Sequence, residues 1–214
     1  MTGTDRGPGG PGLARMAVIA AAAVAAMGVA AIALWPLLAP RDRFADCPGV
    51  AIGASIGGPF TLVSETGETV TDKEVLAQPS LVYFGYTFCP DVCPTDAARN
   101  AEAVDLLAER GMAVQPVFIT VDPARDTTGR LREFTDAMHP AMLGLTGTTD
   151  QVAVAAAAFR AYFKRHESAD PYYPVDHSTQ TYLMLPDLGF VTFFRSDDTP
   201  AAVAEGTACY LKNA

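Results

Sequence analysis

Basic residues are scarce in this sequence, and their scarcity excludes one class of partner. The 214 residues include 15 Lys and Arg against 24 Asp and Glu, which gives a formal net charge of −9. From Phe44 onward the chain carries 11 basic and 22 acidic residues, a net charge of −11. Because such a surface repels phosphate backbones, we do not expect nucleic acid as a partner. A basic partner or a cation would suit it.

Charged residues of both signs are few, and most of the chain contains no low-complexity sequence. Only 18% of the residues are charged and 50% are hydrophobic, which excludes wholesale disorder and supplies a sizeable core. No repeat or low-complexity tract occurs from residue 57 onward. The length fits one domain of about 170 residues behind an N-terminal extension.

Charged residues are entirely absent from residues 16–39, a run rich in Ala, Val, Ile and Leu. About 20 such residues span the hydrocarbon core of a membrane, whereas a cleaved signal peptide has an apolar region of about 7–15 residues. Trp35 lies near one edge of the run, where an amphipathic ring is favourable. We therefore expect a retained membrane anchor. The expected parts of the chain are a tail at 1–15, a transmembrane anchor at 16–39, a linker at 40–56 and a folded domain at 57–214.

The folded part alternates between β-rich runs and amphipathic runs. Residues 80–86 are largely apolar, which is typical of a strand buried on both faces, and Pro116 predicts a bulge or an edge in a later strand. The predicted strands are 59–63, 68–70, 80–86, 113–121, 179–185 and 190–194, and the predicted helices are 96–110, 128–138, 149–163 and 200–212. This order predicts an α/β fold of thioredoxin type with an extra N-terminal β-hairpin.

Cysteine is rare, and two of the four cysteines lie four residues apart in Cys89-Pro-Asp-Val-Cys93. They follow a predicted strand and open the next helix, where helical spacing would put both thiols on one face. A helix N-terminus favours the thiolate, and a thiolate pair selects a soft cation such as Cu(I). The same spacing permits a disulfide, which could not bind metal. A pair of buried structural cysteines is the alternative interpretation.

The chain has three histidines, fewer than its cysteines. They matter because a copper ion held by two thiolates would need a third ligand. We expect His139, which precedes Pro140 at a helix end, to cap or pack there, and His166, in a polar stretch, to be solvated. His177 immediately precedes a predicted hairpin strand. In a thioredoxin-type sheet the loop that enters this strand lies against the active-site helix. By position alone, His177 is either a ligand or a structural loop histidine.

Cys47 and Cys209 lie near the two ends of the expected domain, and neither has a chemical motif around it. An exported domain would oxidise an exposed pair with suitable geometry. We therefore expect a structural disulfide that ties the two ends together. Two unrelated cysteines, one of them buried, are the alternative interpretation.

Three stretches of the chain resemble the signature stretches of the Sco/SenC copper chaperone family. They are Cys89-Pro-Asp-Val-Cys93-Pro-Thr, Val121-Asp-Pro-Ala-Arg-Asp126-Thr and Val175-Asp-His177-Ser. They occur in the family's order within about 150 residues from Gly57 onward, and the three together are far more specific than the cysteine pair alone. The resemblance implies a thioredoxin fold, one N-terminal membrane helix and an exported copper domain. It also implies that Cys89, Cys93 and His177 are the metal ligands.

The resemblance carries expectations about cargo, partners and location. It implies one copper per chain, as Cu(I) with Cu(II) left open, and a role in assembling the dinuclear copper centre on cytochrome c oxidase subunit II. The role would be copper delivery, thiol reduction or both. Other periplasmic copper chaperones and thioredoxin-like reductants are further candidate partners. The implied location is the bacterial inner membrane, with a single pass and the soluble domain in the periplasm.

Asp122 and Asp126 follow the second long strand, at the sheet edge that the cysteines are expected to share. Asp122 could orient a ligand, pair with Arg125 or dock a partner, or it could simply form a turn before Pro123. For Asp126 we expect a capping role at the next helix.

Other functional classes stay open at this stage. A thiol–disulfide oxidoreductase would use Cys89 as nucleophile without holding metal, although it usually has two residues between its cysteines and not three. A peroxiredoxin-type peroxidase needs a single low-pKa cysteine and does not match this pair. A redox or copper sensor could use the same site. The sequence does not indicate a classical enzyme.

Overall fold

The structure, a computed structural model, describes residues 11–38, 43–48, 55–166, 168 and 173–214. The predicted tail residues 1–10 and the predicted linker residues 40–42 and 49–54 lie outside the described residues. The chain divides into two units, residues 1–42 and 43–214.

The described part of the first unit, residues 11–38, is one helix, α1 (Pro11–Leu38), of 28 residues. Its stretch Arg15–Trp35 is long and apolar enough to cross a membrane. Such a helix rises about 1.5 Å per residue, so 21 residues reach about 30 Å, the thickness of the hydrocarbon core. The predicted N-terminal helix is therefore present, and its role as an anchor stays a prediction.

In the second unit, the described residues form a sheet of seven strands in the order β2-β1-β5-β4-β3-β8-β9. The strands are β1 (Thr61–Ser64), β2 (Thr69–Thr71), β3 (Ser80–Gly85), β4 (Gln115–Thr120), β5 (Leu143–Thr146), β8 (Thr181–Leu185) and β9 (Gly189–Phe194). Strands β3, β4 and β5 are parallel, and β1 and β8 join them antiparallel on either side. A separate two-stranded ribbon pairs β6 (Phe163–Arg165) with β7 (Val175–His177).

Helices connect the parallel strands, as helical crossovers between parallel neighbours require. The helices of this unit are α2 (Asp72–Val75), α3 (Val92–Ala108), α4 (Thr128–Met138), α5 (Thr149–Ala158) and α6 (Pro200–Asn213). Helix α3 follows β3 and precedes β4, and α4 follows β4 and precedes β5. The parallel centre, its crossovers and the leading β1–β2 hairpin confirm the predicted thioredoxin-like α/β fold with an extra N-terminal hairpin.

The central strands are buried because their residues are apolar on both faces. All six residues of β3 are buried, which is what the run 80–86 predicts. Pro116 lies in β4 opposite Leu81, and the β3–β4 register runs on without a bulge. The predicted bulge is absent there and β4 lies inside the sheet, although at Pro116 itself the strand is paired on the β3 side alone. Pairing between β4 and β5 begins only at Val117, so the ladder on that side needs no N–H from the proline.

A disulfide joins the two ends of the second unit. It links Cys47 to Cys209 of α6, across a sequence separation of 162 residues. Helix α6 packs on α3, and the ring of Phe44 lies 5.1 Å from that of Tyr210, centroid to centroid. The expected pairing of Cys47 with Cys209 is thus present in the structure.

Candidate metal centre

The two remaining cysteines meet where β3 leads into α3. The helix begins at Val92, four residues earlier than predicted, so Cys93 lies in its first turn and Cys89 in the connection before it. The backbone N–H of Cys93 donates to the Cys89 sulfur over 3.4 Å. Both thiols are free, with 9% of Cys89 and none of Cys93 exposed. The loop-to-helix turn therefore presents both sulfurs to one spot that is nearly closed to water.

The third candidate ligand reaches this spot from the ribbon. His177 ends β7, and its Nε2 lies 3.1 Å from the Cys93 sulfur. The ligand atoms of Cys89, Cys93 and His177 all lie within 4.8 Å of one another. The structure therefore brings together the three residues that the sequence analysis singled out, and their role as ligands stays a prediction.

The imidazole of His177 is held in the orientation that a metal ligand needs. Its Nδ1 lies 2.8 Å from the carbonyl oxygen of Ser178, and since a carbonyl can only accept, Nδ1 carries the proton. That leaves the Nε2 lone pair directed at the two sulfurs. Two thiolates and a neutral imidazole form a soft donor set, which suits Cu(I).

The two thiols differ in acidity. A hydrogen bond between the two cysteine side chains lowers the pKa of Cys89, and the backbone N–H groups of Asp91 and Cys93 act in the same direction. The same hydrogen bond, together with burial, raises the pKa of Cys93. Of the two, Cys89 is therefore the thiol whose thiolate is favoured, and it is also the more exposed.

Aromatic rings surround the histidine on its other sides. The rings of Tyr83 and Tyr86 meet the His177 ring edge-on, with centroids 6.1 and 5.7 Å away. The Tyr86 hydroxyl also accepts a hydrogen bond from the backbone N–H of Val175, over 3.4 Å. Burial raises the pKa of Tyr86. Tyr86 therefore forms part of the wall around His177.

Asp126 holds the connection that carries Cys89, and the expectation that it caps α4 was wrong. Its fully buried carboxylate accepts hydrogen bonds from the Thr87 N–H, the Thr87 hydroxyl and the Thr120 hydroxyl, over 2.9, 2.6 and 2.6 Å. The α4 cap is Thr127, whose side chain accepts from Arg130 N–H. The pKa of Asp126 is raised by burial, although these donors oppose the shift.

Asp122 links the β4–α4 connection to the segment before β7. It pairs with Arg125, and it accepts a hydrogen bond from the Tyr173 hydroxyl over 2.9 Å. Tyr173 precedes His177 by four residues. Of the roles left open for Asp122, the structure places it in an Arg125 pair and in the support of the histidine's segment.

A buried polar group on α3, one turn beyond Cys93, was missed at the sequence level. Asp96 is fully buried, pairs with Arg99 at 3.0 Å and accepts from the Ser196 hydroxyl at 2.8 Å. Arg99 in turn donates to the Thr181 hydroxyl on β8 over 2.8 Å. The signal in the sequence is the polar spacing of residues 96, 99 and 100 on a helix whose neighbouring positions are apolar.

The other two histidines lie elsewhere. His139 ends α4, where its Nε2 lies 3.1 Å from an Asp105 carboxylate oxygen. His166 is exposed and lies 2.8 Å from Asp176. Both arrangements agree with the capping and solvated roles expected for them.

Comparison with known proteins gives independent findings. The family model described as SCO1/SenC matches residues 50–212. The chain is 61% identical to protein SenC of Rhodobacter capsulatus over 173 residues, which cover 79% of this chain and 78% of that protein.

Two solved structures share the fold over almost their whole length. Arabidopsis thaliana ScoI, solved with copper bound, matches with a TM-score of 0.70 at 38% identity, over 73% of this chain and 99% of that one. Bradyrhizobium japonicum ScoI, also solved with copper bound, matches with a TM-score of 0.66 at 37% identity, over 72% of this chain and 99% of that one.

Proposed function

The chain belongs to the SCO1/SenC family, and from that premise we propose that it is a copper chaperone. Its cargo would be one copper ion per chain, held by Cys89, Cys93 and His177. Its role would be to help assemble the dinuclear copper centre of cytochrome c oxidase subunit II. Proteins of this family are described as cytochrome c oxidase assembly proteins.

The observation that carries the proposal is the convergence of three candidate ligand atoms. The sulfurs of Cys89 and Cys93 and Nε2 of His177 lie within 4.8 Å of one another, and Nδ1 of the imidazole is already occupied by Ser178. Copper–thiolate and copper–imidazole bonds are close to 2 Å long, so one ion could reach all three after small side-chain movements. Solved relatives with copper bound support the same cargo.

The redox state of the cysteine pair would also determine whether the site can bind copper. As thiolates, Cys89 and Cys93 can bind a soft ion. In a disulfide both sulfurs are uncharged, and they no longer act as thiolate ligands. Oxidation of the pair removes two electrons and two protons, and copper binding then requires their return. We therefore expect loading to depend on the redox state of the site as well as on the supply of copper.

The anchor and the compartment belong to the same proposal. We propose that residues 16–39 anchor the chain as a single pass in the bacterial inner membrane, with a tail at 1–15, a linker at 40–56 and the domain 57–214 in the periplasm. The Cys47–Cys209 disulfide supports an oxidising compartment, and Arg15–Trp35 has the length and apolarity of a span.

X-ray absorption on the Cu(I)-loaded chain tests the ligand set. We expect a shell of two sulfurs and one nitrogen in the wild type and loss of the nitrogen in His177→Ala. His166→Ala is the matched control, because the His166 side chain is exposed and contacts Asp176, while its backbone N–H, which the substitution keeps, donates to the Pro174 carbonyl. An all-sulfur shell in the wild type, or an unchanged shell in His177→Ala, would exclude His177 as a ligand.

A second function, thiol–disulfide exchange, is favoured by the lowered pKa of Cys89. The Cys89 thiolate would attack a partner disulfide, and Cys93 would then displace the partner's thiol and close the Cys89–Cys93 bond. Thioredoxin-like proteins are the candidate reductants of the resulting disulfide. Deleting the gene and measuring oxidase copper content separates the two functions, since added copper should rescue a loss of delivery and not a loss of reduction.

A further inference from the structure

Three arginines and two aromatic rings stack alternately beside the candidate metal centre. We call this set the arginine–aromatic ladder; in order it comprises Arg130, Phe88, Arg125, Tyr173 and Arg165. The guanidinium carbon of Arg125 lies 3.7 Å from the ring centroid of Tyr173 and 4.8 Å from that of Phe88. Arg130 lies 4.6 Å from the Phe88 centroid, and Arg165 lies 5.3 Å from that of Tyr173. All four distances are within the range of cation–π contacts.

The ladder runs along the edge of the metal centre. Phe88 immediately precedes Cys89, and Tyr173 lies four residues before His177. The ladder therefore connects the two chain segments that supply candidate ligands. Arg125 also lies 5.5 Å from the ring centroid of Tyr86, the ring that meets His177 edge-on, so the ladder is adjacent to the site at which a partner would take up copper.

The ladder is positively charged in a domain that is strongly acidic. It holds three of the 11 basic residues found from Phe44 onward, where 22 residues are acidic. Arg125 is mostly buried and paired with Asp122. Arg130 and Arg165 are exposed, and no carboxylate of the described residues lies within salt-bridge distance of either.

Neighbouring acidic groups do not cancel this charge. On the ribbon, Asp176 is bonded to His166 at 2.8 Å. At the start of α3, Asp91 is exposed, and among the described residues no salt bridge joins it to Arg130 or Arg165. The two outer guanidinium groups thus remain available to a partner.

Stacking prepares these groups for carboxylates. A guanidinium that lies flat on a ring still presents its N–H edge, which matches a carboxylate with two parallel hydrogen bonds. Because the rings already restrict the arginine side chains, less conformational entropy is lost when a partner binds. An arginine on the surface without such a ring contact would lose more conformational entropy on binding.

We propose that the arginine–aromatic ladder is the docking surface for the carboxylate-rich face of the protein that exchanges copper with this chain. The inference rests on the proposed copper chaperone function for the identity of that partner. The acidic remainder of the domain would repel the same face, so the ladder would also set the orientation in which the two metal sites meet.

Charge reversal with a matched control tests the inference. The test variants are Arg130→Glu and Arg165→Glu in the full chain, and the control is Arg110→Glu, which changes net charge equally. Arg110 is exposed just beyond the far end of α3, about 25 Å of helix away from Cys93. The probe is the copper-free soluble domain of cytochrome c oxidase subunit II from the same organism.

We expect each ladder variant to slow association with the probe about tenfold and to reduce its dependence on salt, since charges at the edge of an interface act mainly on the association rate. Arg110→Glu should associate like the wild type. Copper removal by a small neutral chelator should be equal in all variants, which shows that the metal centre is intact. Equal losses in ladder and control variants, or no loss in any, would overturn the inference, as would a wild type that does not bind the probe.

Binding and copper transfer are measured separately, so that the two proposals can fail separately. If the wild type binds the probe through the ladder and transfers no copper, the ladder inference stands and the delivery function fails. If copper is transferred and charge reversal leaves both rates unchanged, the delivery function stands and the ladder inference fails.

Discussion

At the scale of single residues, the two thiols of the cysteine pair differ in acidity. A hydrogen bond between their side chains lowers the pKa of Cys89 and raises that of Cys93. A lowered pKa keeps Cys89 a thiolate as the pH falls below neutral. An ordinary cysteine, with a pKa of about 8.5, is almost entirely protonated there. The accessible sulfur is therefore the reactive one.

We expect iodoacetamide to alkylate Cys89 of the reduced, metal-free chain at about pH 6, where an ordinary thiol reacts slowly. Cys93→Ala removes the donor, so the midpoint of the alkylation profile should move to higher pH. Cys93→Ser keeps a donor and should move it less. Mass spectrometry of the alkylated chain gives the profile and the site. A wild-type midpoint near the ordinary value, or one that Cys93→Ala leaves in place, would contradict the hydrogen-bond argument.

At the scale of secondary structure elements, the ribbon β6–β7 positions His177 next to Cys93 at the start of α3. Two side chains fasten it to the rest of the domain: Tyr173 donates to Asp122 over 2.9 Å, and Tyr86 accepts from Val175 over 3.4 Å. At its other end, the backbone of Tyr162 exchanges hydrogen bonds with Ser178, over 2.8 and 2.9 Å. The imidazole is therefore placed by anchors on both sides.

Tyr173→Phe removes one of these anchors and leaves the ring. We expect a loss of about 1 kcal/mol in copper affinity, roughly a fivefold weaker Kd, because a side-chain hydrogen bond to a charged group contributes that much or somewhat more. Competition with a Cu(I) chelator measures it. Tyr162→Phe is the control, since that ring is exposed and its anchoring contacts are made by backbone atoms. If both variants bind copper like the wild type, the Tyr173–Asp122 contact does not position His177.

The elements differ in how well the sequence predicts them. The apolar run at 80–86 and the helix at 128–138 were placed closely, because period and burial agree there. The ribbon was missed, and part of it was assigned to a helix at 149–163, whereas α5 ends at Ala158. Strand β6 has three residues, two of them charged, so no hydrophobic period marks it. Its pairing with β7 is a long-range contact that local sequence does not encode.

The residues of the candidate site also differed in how well the sequence predicted them, because some of their contacts are local and others are long-range. Cys89 and Cys93 are close in sequence, and a loop-to-helix turn brings them together by local geometry. His177 is 84 residues from Cys93, and only the family resemblance singled it out. Asp126 was misread because its partner Thr87 lies 39 residues away, while the adjacent helix start offered a local explanation. In each case the local sequence predicts contacts between residues that are close in the chain, and it does not predict contacts between separate elements.

At the scale of the whole molecule, the buried apolar residues that the structure describes form two clusters. One contains Cys89, Cys93 and the rings around them, and the other contains Cys47 and the inner face of α6. The Cys47–Cys209 disulfide therefore lies in a different part of the core from the metal centre. Stability and metal binding should be separable by mutation.

We expect Cys47→Ala/Cys209→Ala to destabilise the second unit strongly and to leave copper binding intact. On the chain-entropy model, a bond that closes a loop of 162 residues stabilises by about 5 kcal/mol. For a domain of this size, that corresponds to a fall of about 10–20 °C in the midpoint of thermal unfolding. Calorimetry of the detergent-solubilised chain measures the fall, and the copper-to-protein ratio at low temperature tests the site. Cys89→Ala/Cys93→Ala is the reciprocal control, which should bind no copper and keep most of its stability. If the Cys47 and Cys209 variant lost copper binding while it kept its thermal midpoint, the two clusters would be coupled, and the disulfide would have to be regarded as part of the metal centre's support.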